Sequence, residues 1–372
     1  MPEPDKEKGM ELDVYADDVT LLSTHEKVKA AETNAQQYLN QVIKWMKDNN
    51  LILADKTQAT LFTPDPAEYS YQLNLKIDGT RLKTTPNPKV LGLTFDPKLN
   101  FTEHTKLTEE KAKGTLKLVK AISGTDWGQH KETLVSTYKT YTRPVLEYAC
   151  PAWAPIASVS NVTKLQRVQN AALRCATGHT RDSNATHYHQ ETQVLPISTH
   201  MKLVTSQYRE SSRHPQHPMH HALSEPEPER KMKRTAFDTN YVTVVHGCER
   251  EGEEEKERRK NQKAIHTAIV QEHILNQPNN PLINAHPPDI STTEKQLPRA
   301  TRRTLAQLRA QKCPMLQEYL HSIGAAEDPR CPLCGHDGHN TAHLFSCPEV
   351  QTELMPIDLW YRPVLVAELL QE

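Results

Sequence analysis

The stretch MELDVYADDVTLLS, residues 10–23, places two adjacent aspartates between two apolar runs. Apolar residues alternate with polar ones on both sides, which predicts two short β-strands joined at Asp17 and Asp18. Two neighbouring carboxylates repel each other unless a cation lies close to them. The stretch therefore predicts a hairpin whose acidic turn holds a divalent metal ion.

The residues after the hairpin predict a small α+β unit over 1–100. Apolar residues recur at helical spacing from Val28 to Met46, with Ser23 and Glu26 placed as a capping box and Asn49-Asn50 as the end. Three later segments are predicted to form strands: 51–62, 71–83 and 89–96. We expect the helix to cover one face of the sheet.

The rest of the chain divides by pattern into three further regions. Residues 101–213 carry apolar residues at helical spacing and predict a helical subdomain, with Gly178 ending one helix. Residues 214–298 are rich in proline and charge and predict a disordered linker that contains a polar helix at 259–276. Residues 299–372 predict a long helix over 299–324, then a cysteine cluster and a helical tail.

Composition limits the class of protein. Only 36% of the 372 residues are hydrophobic and the mean hydropathy is −0.70, so part of the chain is expected to lie outside any packed core. Residues 101–210 carry 14 Lys and Arg against 9 Asp and Glu, which indicates a surface that faces phosphates, or simply a solvated helical face. No apolar run is long enough for a membrane span and the first residues are charged, so an intracellular protein in the nucleus or cytoplasm is expected.

The segment CPLCGHDGHNTAHLFSCP, residues 331–348, has the spacing of a zinc site. Cys331 and Cys334 form a Cys-x₂-Cys pair, and His343 and Cys347 follow four residues apart, as on one face of a helix. His336 or His339 can replace His343 as the fourth ligand. Three thiolates and one imidazole close a tetrahedral shell, which predicts a structural Zn²⁺ rather than a catalytic one. Four free side chains in a flexible tail are the alternative.

In their order along the chain, these segments resemble the C-terminal half of a reverse transcriptase of a jockey-like, non-LTR retrotransposon. The hairpin is similar to the catalytic hairpin of that family, and the cysteine segment to its zinc-knuckle-like module. Further segments that resemble family motifs are KTQATLF (56–62), VLGLTFDPKLNFTEH (90–104), RPVLEYACPAW (143–153), LQRVQNAALRCATG (165–178) and DLWYRPVLVAELL (358–370). The resemblance implies a partial palm over 1–100 and a helical thumb or connection region over 101–213.

The resemblance also implies roles for single residues. Asp17 and Asp18 would bind Mg²⁺ or Mn²⁺ in a two-metal nucleotidyl transfer. Lys56 would lie near the departing pyrophosphate as an acid or electrostatic stabiliser, although by itself it is an ordinary exposed lysine. Tyr15 would pack beneath the nucleotide, although a strand tyrosine is usually a core residue. Gly92-Leu93 would support the primer backbone.

The family carries a second metal-binding aspartate on a strand upstream of the hairpin, together with a fingers region. In this sequence the hairpin begins about ten residues after Met1, and no other aspartate of the first hundred residues takes that place. The chain is therefore expected to be a catalytically incomplete fragment of an RNA-directed DNA polymerase, and polymerase activity of the chain alone is expected to be absent. The family implies an RNA template and a DNA primer as partners, with a deoxynucleoside triphosphate as substrate.

Two other functions remain open from the sequence. The first is a nucleic-acid-binding protein without catalysis, which uses the basic helical region and the zinc module. The second is a transposon remnant whose product has no role in the cell. Neither class is separated from the other by any motif in the chain.

Overall fold

A computed structural model describes residues 1–54, 56–124, 127–220 and 254–371. Residues 221–253 of the predicted linker lie outside the described residues. The chain forms two compact units, Met1–His104 and Thr105–Glu372. Helices dominate and the sheets are small, which confirms the α+β class predicted from the sequence.

The first unit is built on the predicted hairpin and helix. Strands β1 (Met10–Tyr15) and β2 (Asp18–Ser23) pair antiparallel, and helix α1 runs over Val28–Asp48. Met10 on the hairpin packs against Tyr38 and Val42 of the helix, where apolar side chains at helical spacing meet the apolar face of the hairpin. The predicted end at Asn49-Asn50 is confirmed.

The capping box predicted for α1 is wrong. The N-cap residue is Lys27, whose side chain makes no capping hydrogen bond. Ser23 instead ends β2, and its hydroxyl donates to the carbonyl of Ala31 at 2.9 Å. The hairpin therefore extends over the residue that the sequence pattern assigned to the helix start.

The three long strands predicted after α1 appear only as pairs of two-residue strands. These are β3 (Gln58–Ala59) with β6 (Lys83–Thr84), β4 (Lys76–Ile77) with β5 (Thr80–Arg81), and β7 (Lys89–Val90) with β8 (Leu93–Thr94). Side chains of α1 replace part of the missing strand pairing. The Gln36 side chain accepts from the Lys76 amide at 2.6 Å and donates to the Lys76 carbonyl at 2.9 Å.

The second unit is helical. Its long helix α6 begins after Ser158, whose hydroxyl accepts from the Asn161 amide, and ends at Gly178, which takes the left-handed conformation predicted for it. A π-helical turn over Tyr138–Thr142 joins α3 to α4. The helices from the unit boundary onward are α2 (Thr102–Ala121), α3 (Lys131–Thr137), α4 (Arg143–Glu147), α5 (Cys150–Trp153), α6 (Val159–Thr177), α7 (Ala185–Thr192), α8 (Ile197–Ser212), α9 (Glu254–Leu275), α10 (Arg299–Arg309), α11 (Gln317–Ser322), α12 (Thr341–Leu344), α13 (Asp358–Tyr361) and α14 (Pro363–Leu369).

The last hundred residues share one apolar core. It contains Leu305, Leu308, Leu316, Tyr319, Phe345, Leu359, Trp360 and Val366. Ile283, Ile290 and Leu297 pack against this core, so residues 276–298 are folded although the sequence indicated a linker. Helix α9 covers the predicted polar helix at 259–276 and begins five residues earlier.

The long helix predicted over 299–324 is two helices. Helix α10 ends at Arg309, Gln311 has a positive φ of 55°, and α11 begins at Gln317. Pro314 lies in the gap, where its ring and missing N–H prevent a continuous helix.

Four charged residues with largely buried side chains, Lys131, Glu191, Glu294 and Arg309, form an ion cluster in the second unit. Lys131 Nζ lies 2.9 Å from a Glu191 oxygen and 3.4 Å from a Glu294 oxygen. Arg309 binds Glu191 at 3.1 Å, pairs with Glu294, and donates its Nε–H to the Leu359 carbonyl at 3.1 Å. Burial raises the pKa of Glu191, but Lys131 and Arg309 outweigh it and hold that pKa well below its ordinary value.

Arg299 joins two parts of the second unit without any carboxylate. Its guanidinium donates to the carbonyls of Cys175 and Ala176 at the end of α6, at 2.9 and 3.2 Å. It also donates to the carbonyls of Gly124 and Gln129, both at 2.8 Å. A cation is favourable here because the end of a helix carries partial negative charge.

Replacement of Arg309 by Met is expected to lower the free energy of unfolding by about 3–5 kcal/mol, because two buried carboxylates lose a shared cation. The measurement is urea unfolding followed by circular dichroism at pH 7. The matched control is Arg330→Met, which removes an exposed ion pair with Asp328 and should leave the midpoint unchanged. Equal midpoints for both variants would contradict the role of the ion cluster.

Acidification is expected to destabilise the second unit through His179. Burial lowers the pKa of His179 to about 4, so the unfolded chain binds the proton first as pH falls below 6.5. Stability from this residue is full above pH 6.5 and decreases by about 3 kcal/mol toward pH 4. His179→Asn keeps a partner for Thr177 and should flatten the pH dependence of the unfolding midpoint between these values. If the unfolding midpoint of His179→Asn depends on pH in the same way as that of the wild type, His179 is not the cause of the destabilisation.

Candidate functional site

The Cys331–Cys334 pair lies on a tight turn. The Gly335 amide donates to the Cys331 carbonyl at 2.9 Å, and the Cys331 amide donates to the His336 carbonyl at 2.9 Å. Gly335 has a φ of 73°, a left-handed conformation that a glycine takes without strain. The turn brings both thiols to the same side of the chain.

The other two candidate ligands lie on and just after a single helical turn. Helix α12 contains His343, and Cys347 follows three residues after its end. The Asn340 side chain caps this helix by accepting from the His343 amide at 3.0 Å. The predicted helical presentation of His343 is therefore present, although the helix ends before Cys347.

The structure brings Cys331, Cys334, His343 and Cys347 together. Their four ligand atoms all lie within 4.8 Å of one another. The thiols of Cys331 and Cys347 are 3.9 Å apart, and Cys334 Sγ lies 3.3 Å from His343 Nε2. Three of the four side chains are buried and Cys334 is half-buried. This arrangement has the donor set and the compactness of a structural zinc site.

The two alternative histidines have other positions. His339 accepts from the Gln317 amide at 3.2 Å with Nδ1 and so caps the start of α11. The ring of His336 stacks on that of His343 with 4.7 Å between centroids. Neither belongs to the group of converging ligand atoms, so the geometry favours His343 over both.

The first cysteine of the cluster, Cys331, has a lowered pKa. Burial raises the pKa of Cys331, but the backbone amides of Cys334 and Leu333 stabilise the thiolate and bring that pKa below its ordinary value. Because metals bind thiolates rather than thiols, this favours binding of a cation at neutral pH.

The cysteine cluster is attached to the core of the second unit. The Thr341 hydroxyl is buried and donates to the Leu308 carbonyl of α10 at 3.0 Å. Phe345, between the candidate ligands His343 and Cys347, belongs to the apolar core that contains Leu308 and Trp360. The module therefore shares its packing with the helices around it.

The acidic pair lies at the turn of the β1–β2 hairpin, as predicted. Tyr15 pairs with Asp18, so Ala16 and Asp17 form the two-residue turn, and Ala16 has a φ of 54°. Asp18 shares one face of the hairpin with Tyr15 and Asp13, because paired residues point to the same face. Asp17 lies in the turn itself.

Asp17 and Asp18 are exposed and make no ion pair within the described part of the chain. Among those same residues, only the cysteine cluster brings together three or more groups that can hold a metal ion. The described hairpin thus supplies two neighbouring carboxylates, and no third described side chain converges on them closely enough to form a metal site.

The other predicted site residues lie at separate places in the first unit. Lys56 is exposed in a turn before β3 and, in the described coordinates, forms no ion pair with Asp17. Tyr15 is 67% exposed and so is not a core residue. Gly92 lies in the turn between β7 and β8 with a φ of 86°, and Leu93 is buried.

The sequence analysis missed Asn340, Thr341 and the histidine that caps α11. The signal for Asn340 was present, since asparagine before a short apolar stretch is a common N-cap. No local pattern indicated that Thr341 would reach a carbonyl of α10, because that contact joins residues 33 positions apart.

Comparison with known proteins gives two relatives. No protein-family model and no solved structure matches the chain. The chain is 25% identical over 231 residues to a probable RNA-directed DNA polymerase from transposon BS of Drosophila melanogaster, which covers 61% of this chain and 25% of that protein. It is 26% identical over 176 residues to the RNA-directed DNA polymerase from mobile element jockey of the same organism, which covers 46% of this chain and 18% of the relative.

The chain spans about a quarter or less of the length of these relatives. In the described residues, no helix is both long and apolar enough to cross a bilayer. The resemblance deduced from the hairpin and the cysteine segment is confirmed: over part of its length, this chain is similar to RNA-directed DNA polymerases of Drosophila transposons, jockey among them.

Proposed function

We propose that this chain is the part of a non-LTR transposon reverse transcriptase that runs from the metal-binding hairpin to a C-terminal zinc module. In this assignment the first unit is a partial palm and the helices of the second unit are the thumb region. The observation that carries the proposal is a compact Cys₃His cluster that follows an acidic hairpin along the sequence, in a chain similar to two transposon polymerases.

Zinc is the ion that we assign to Cys331, Cys334, His343 and Cys347. Three sulfurs and one imidazole nitrogen match its preferred donors, and four protein ligands leave no position for a water molecule. The ion would hold the turn at residues 331–336 against α12, which is a structural function. Its binding free energy would add to the stability of the apolar core that Phe345 enters.

The second unit is proposed to grip the RNA template and the DNA primer. Residues 101–210 carry an excess of five positive charges, and helix α10 adds Arg303, whose side chain has no ion-pair partner among the described residues. Phosphate contacts of this kind give affinity without sequence preference. This leaves nucleic-acid binding without catalysis as the alternative function.

The hairpin is proposed as one part of the polymerase centre. Asp17 would bind Mg²⁺ or Mn²⁺, with Asp18 next to the primer end and Tyr15 beneath the incoming deoxynucleoside triphosphate. Lys56 would stabilise the departing pyrophosphate, and residues 92–93 would support the primer backbone. The metal ions would activate the primer hydroxyl and neutralise the leaving group.

We infer that polymerisation needs a further acidic group besides those of the described residues. Two-metal sites hold both ions with carboxylates from more than one strand, and the described hairpin supplies one pair. Loss of a member of such a catalytic unit lowers rates by several powers of ten.

Zinc binding tests the assignment of the ion to the cysteine cluster. The purified chain is expected to bind one Zn²⁺, and Cys347→Ser should weaken binding at least about 100-fold because one ligand of a closed shell is lost. Metal content and competition with a chromophoric chelator measure this. The same variant should unfold at lower temperature, since the ion stabilises the shared core.

Two controls separate zinc ligation from general damage. Cys175→Ser changes a cysteine outside the cluster, and His336→Ala removes a neighbouring histidine. Both are expected to keep one tightly bound Zn²⁺. Loss of zinc in His336→Ala with retention in His343→Ala would reassign the fourth ligand.

Primer extension tests the inference that the polymerase centre needs a further acidic group. The 372-residue chain, given a primer on an RNA template with Mg²⁺ or Mn²⁺, is expected to incorporate no nucleotide above the level of Asp17→Asn, because the second carboxylate strand is not among its described residues. Extension that Asp17→Asn abolishes and Asp78→Asn leaves intact would overturn this inference. It would also show that another group completes the centre.

A further inference from the structure

A polar pocket in the second unit lies between the start of α3, the end of α6 and the start of α10. Its cationic lining residues are Lys131, Arg299, Arg302 and Arg303, and its acidic ones are Glu191 and Glu294. His130 and the last residues of α6 complete the wall. The pocket therefore contains more positive than negative side chains.

The acidic residues of the pocket are already neutralised. Glu191 and Glu294 both bind Lys131 and Arg309, so this ion cluster has two charges of each sign. Neither carboxylate leaves a net negative charge to repel an anion. Arg302 is balanced separately by Glu132, at 2.6 Å.

Two guanidinium groups remain without a balancing carboxylate. Arg299 donates only to backbone carbonyls in the described structure. Arg303 makes no hydrogen bond or ion pair with any described residue, although it is only half-exposed. The pocket thus has an excess of two positive charges, one of them on a side chain with all its donors available.

One buried donor also favours an anion near the pocket. The Arg302 side chain is 6% exposed, and its Nε–H has no hydrogen-bond partner. The nearest carboxylate oxygen, on Glu294, is 3.7 Å away, which is too far for a hydrogen bond. A buried charged donor without an acceptor is unfavourable, and a nearby anion offsets part of that cost.

The stem of Arg303 lies against Gly178, the residue that ends α6. A Cβ atom at Gly178 would lie 2.5 Å from the Arg303 Cγ, so the glycine leaves the room that this side chain occupies. Gly178 therefore has two effects: it takes the left-handed conformation that ends α6, and it leaves space for the side chain of Arg303.

We propose that one phosphate group of a nucleic-acid backbone binds at the mouth of this pocket, with the half-exposed Arg303 as the main donor and His130 as a further donor. The inference rests on the proposed function and locates its phosphate contact. Guanidinium groups suit phosphate because their paired N–H groups match two of its oxygens. Such an anion balances the residual positive charge of the pocket, whose buried Arg302 adds attraction without touching it.

The test uses the full chain loaded with zinc and a fluorescein-labelled single-stranded RNA of about 20 nucleotides, titrated by anisotropy between about 50 and 200 mM salt. Arg303→Gln keeps the aliphatic stem and removes the charge. It is expected to raise Kd about 3- to 10-fold and to reduce the slope of log K against log salt by about one. The matched control, Arg181→Gln, removes an exposed arginine outside the pocket and should leave the slope unchanged.

If the wild type binds tightly and Arg303→Gln has the same Kd and slope, phosphate binding at the pocket is refuted, while the proposed nucleic-acid binding still stands. Absence of RNA binding by the wild type would instead refute the proposed function. In that case thermal unfolding with inorganic phosphate tests the pocket by itself. A rise in the unfolding midpoint of the wild type that is lost in Arg303→Gln supports phosphate binding at the pocket, and no rise refutes it. If Arg303→Gln does not fold, Arg303→Met, which also keeps an aliphatic stem and removes the charge, takes its place with the same expected results.

Discussion

The buried ion cluster of Lys131, Glu191, Glu294 and Arg309 is the constraint on which the second unit depends. Charges removed from water are tolerated only when each is paired, and each acid here is shared by two cations. The four residues come from α3, α7, a 3₁₀ turn at Thr292–Gln296 and the end of α10. Segments far apart in sequence are thereby fixed at one point, which explains why residues 276–298 are folded.

Helix α10 connects the ion cluster to the cysteine cluster. Its last residue, Arg309, belongs to the ion cluster, and its Leu308 carbonyl accepts a hydrogen bond from the hydroxyl of Thr341, next to the cysteine cluster. At its other end Arg299 closes the C-terminus of α6. A zinc ion at the cysteine cluster would therefore stabilise a structure already held on one side by buried charge, and the two effects would reinforce each other.

Local patterns predicted the parts of the fold that depend on neighbouring residues. The hairpin around Asp17, the helix α1, the C-cap at Gly178 and the four converging ligands all follow from spacing and turn chemistry. The short strands after α1 were not predictable, because Gln36 of the helix takes hydrogen bonds that a neighbouring strand would otherwise make. The ion cluster gave no signal either, since its partners are up to 178 positions apart (Lys131 to Arg309) and a charged residue usually indicates solvent.

The four arginines of α10 have different partners, although the sequence presents them as one basic segment. Arg309 is neutralised by two acids, Arg302 mainly by one, and Arg299 by carbonyl groups at a helix end. These three stabilise the protein itself. Arg303 has no such partner in the described structure, yet its stem occupies space that a glycine leaves free. Because Arg303 is half-exposed, water can accept its hydrogen bonds in the free protein, and a bound phosphate would add the balancing negative charge that no described carboxylate provides.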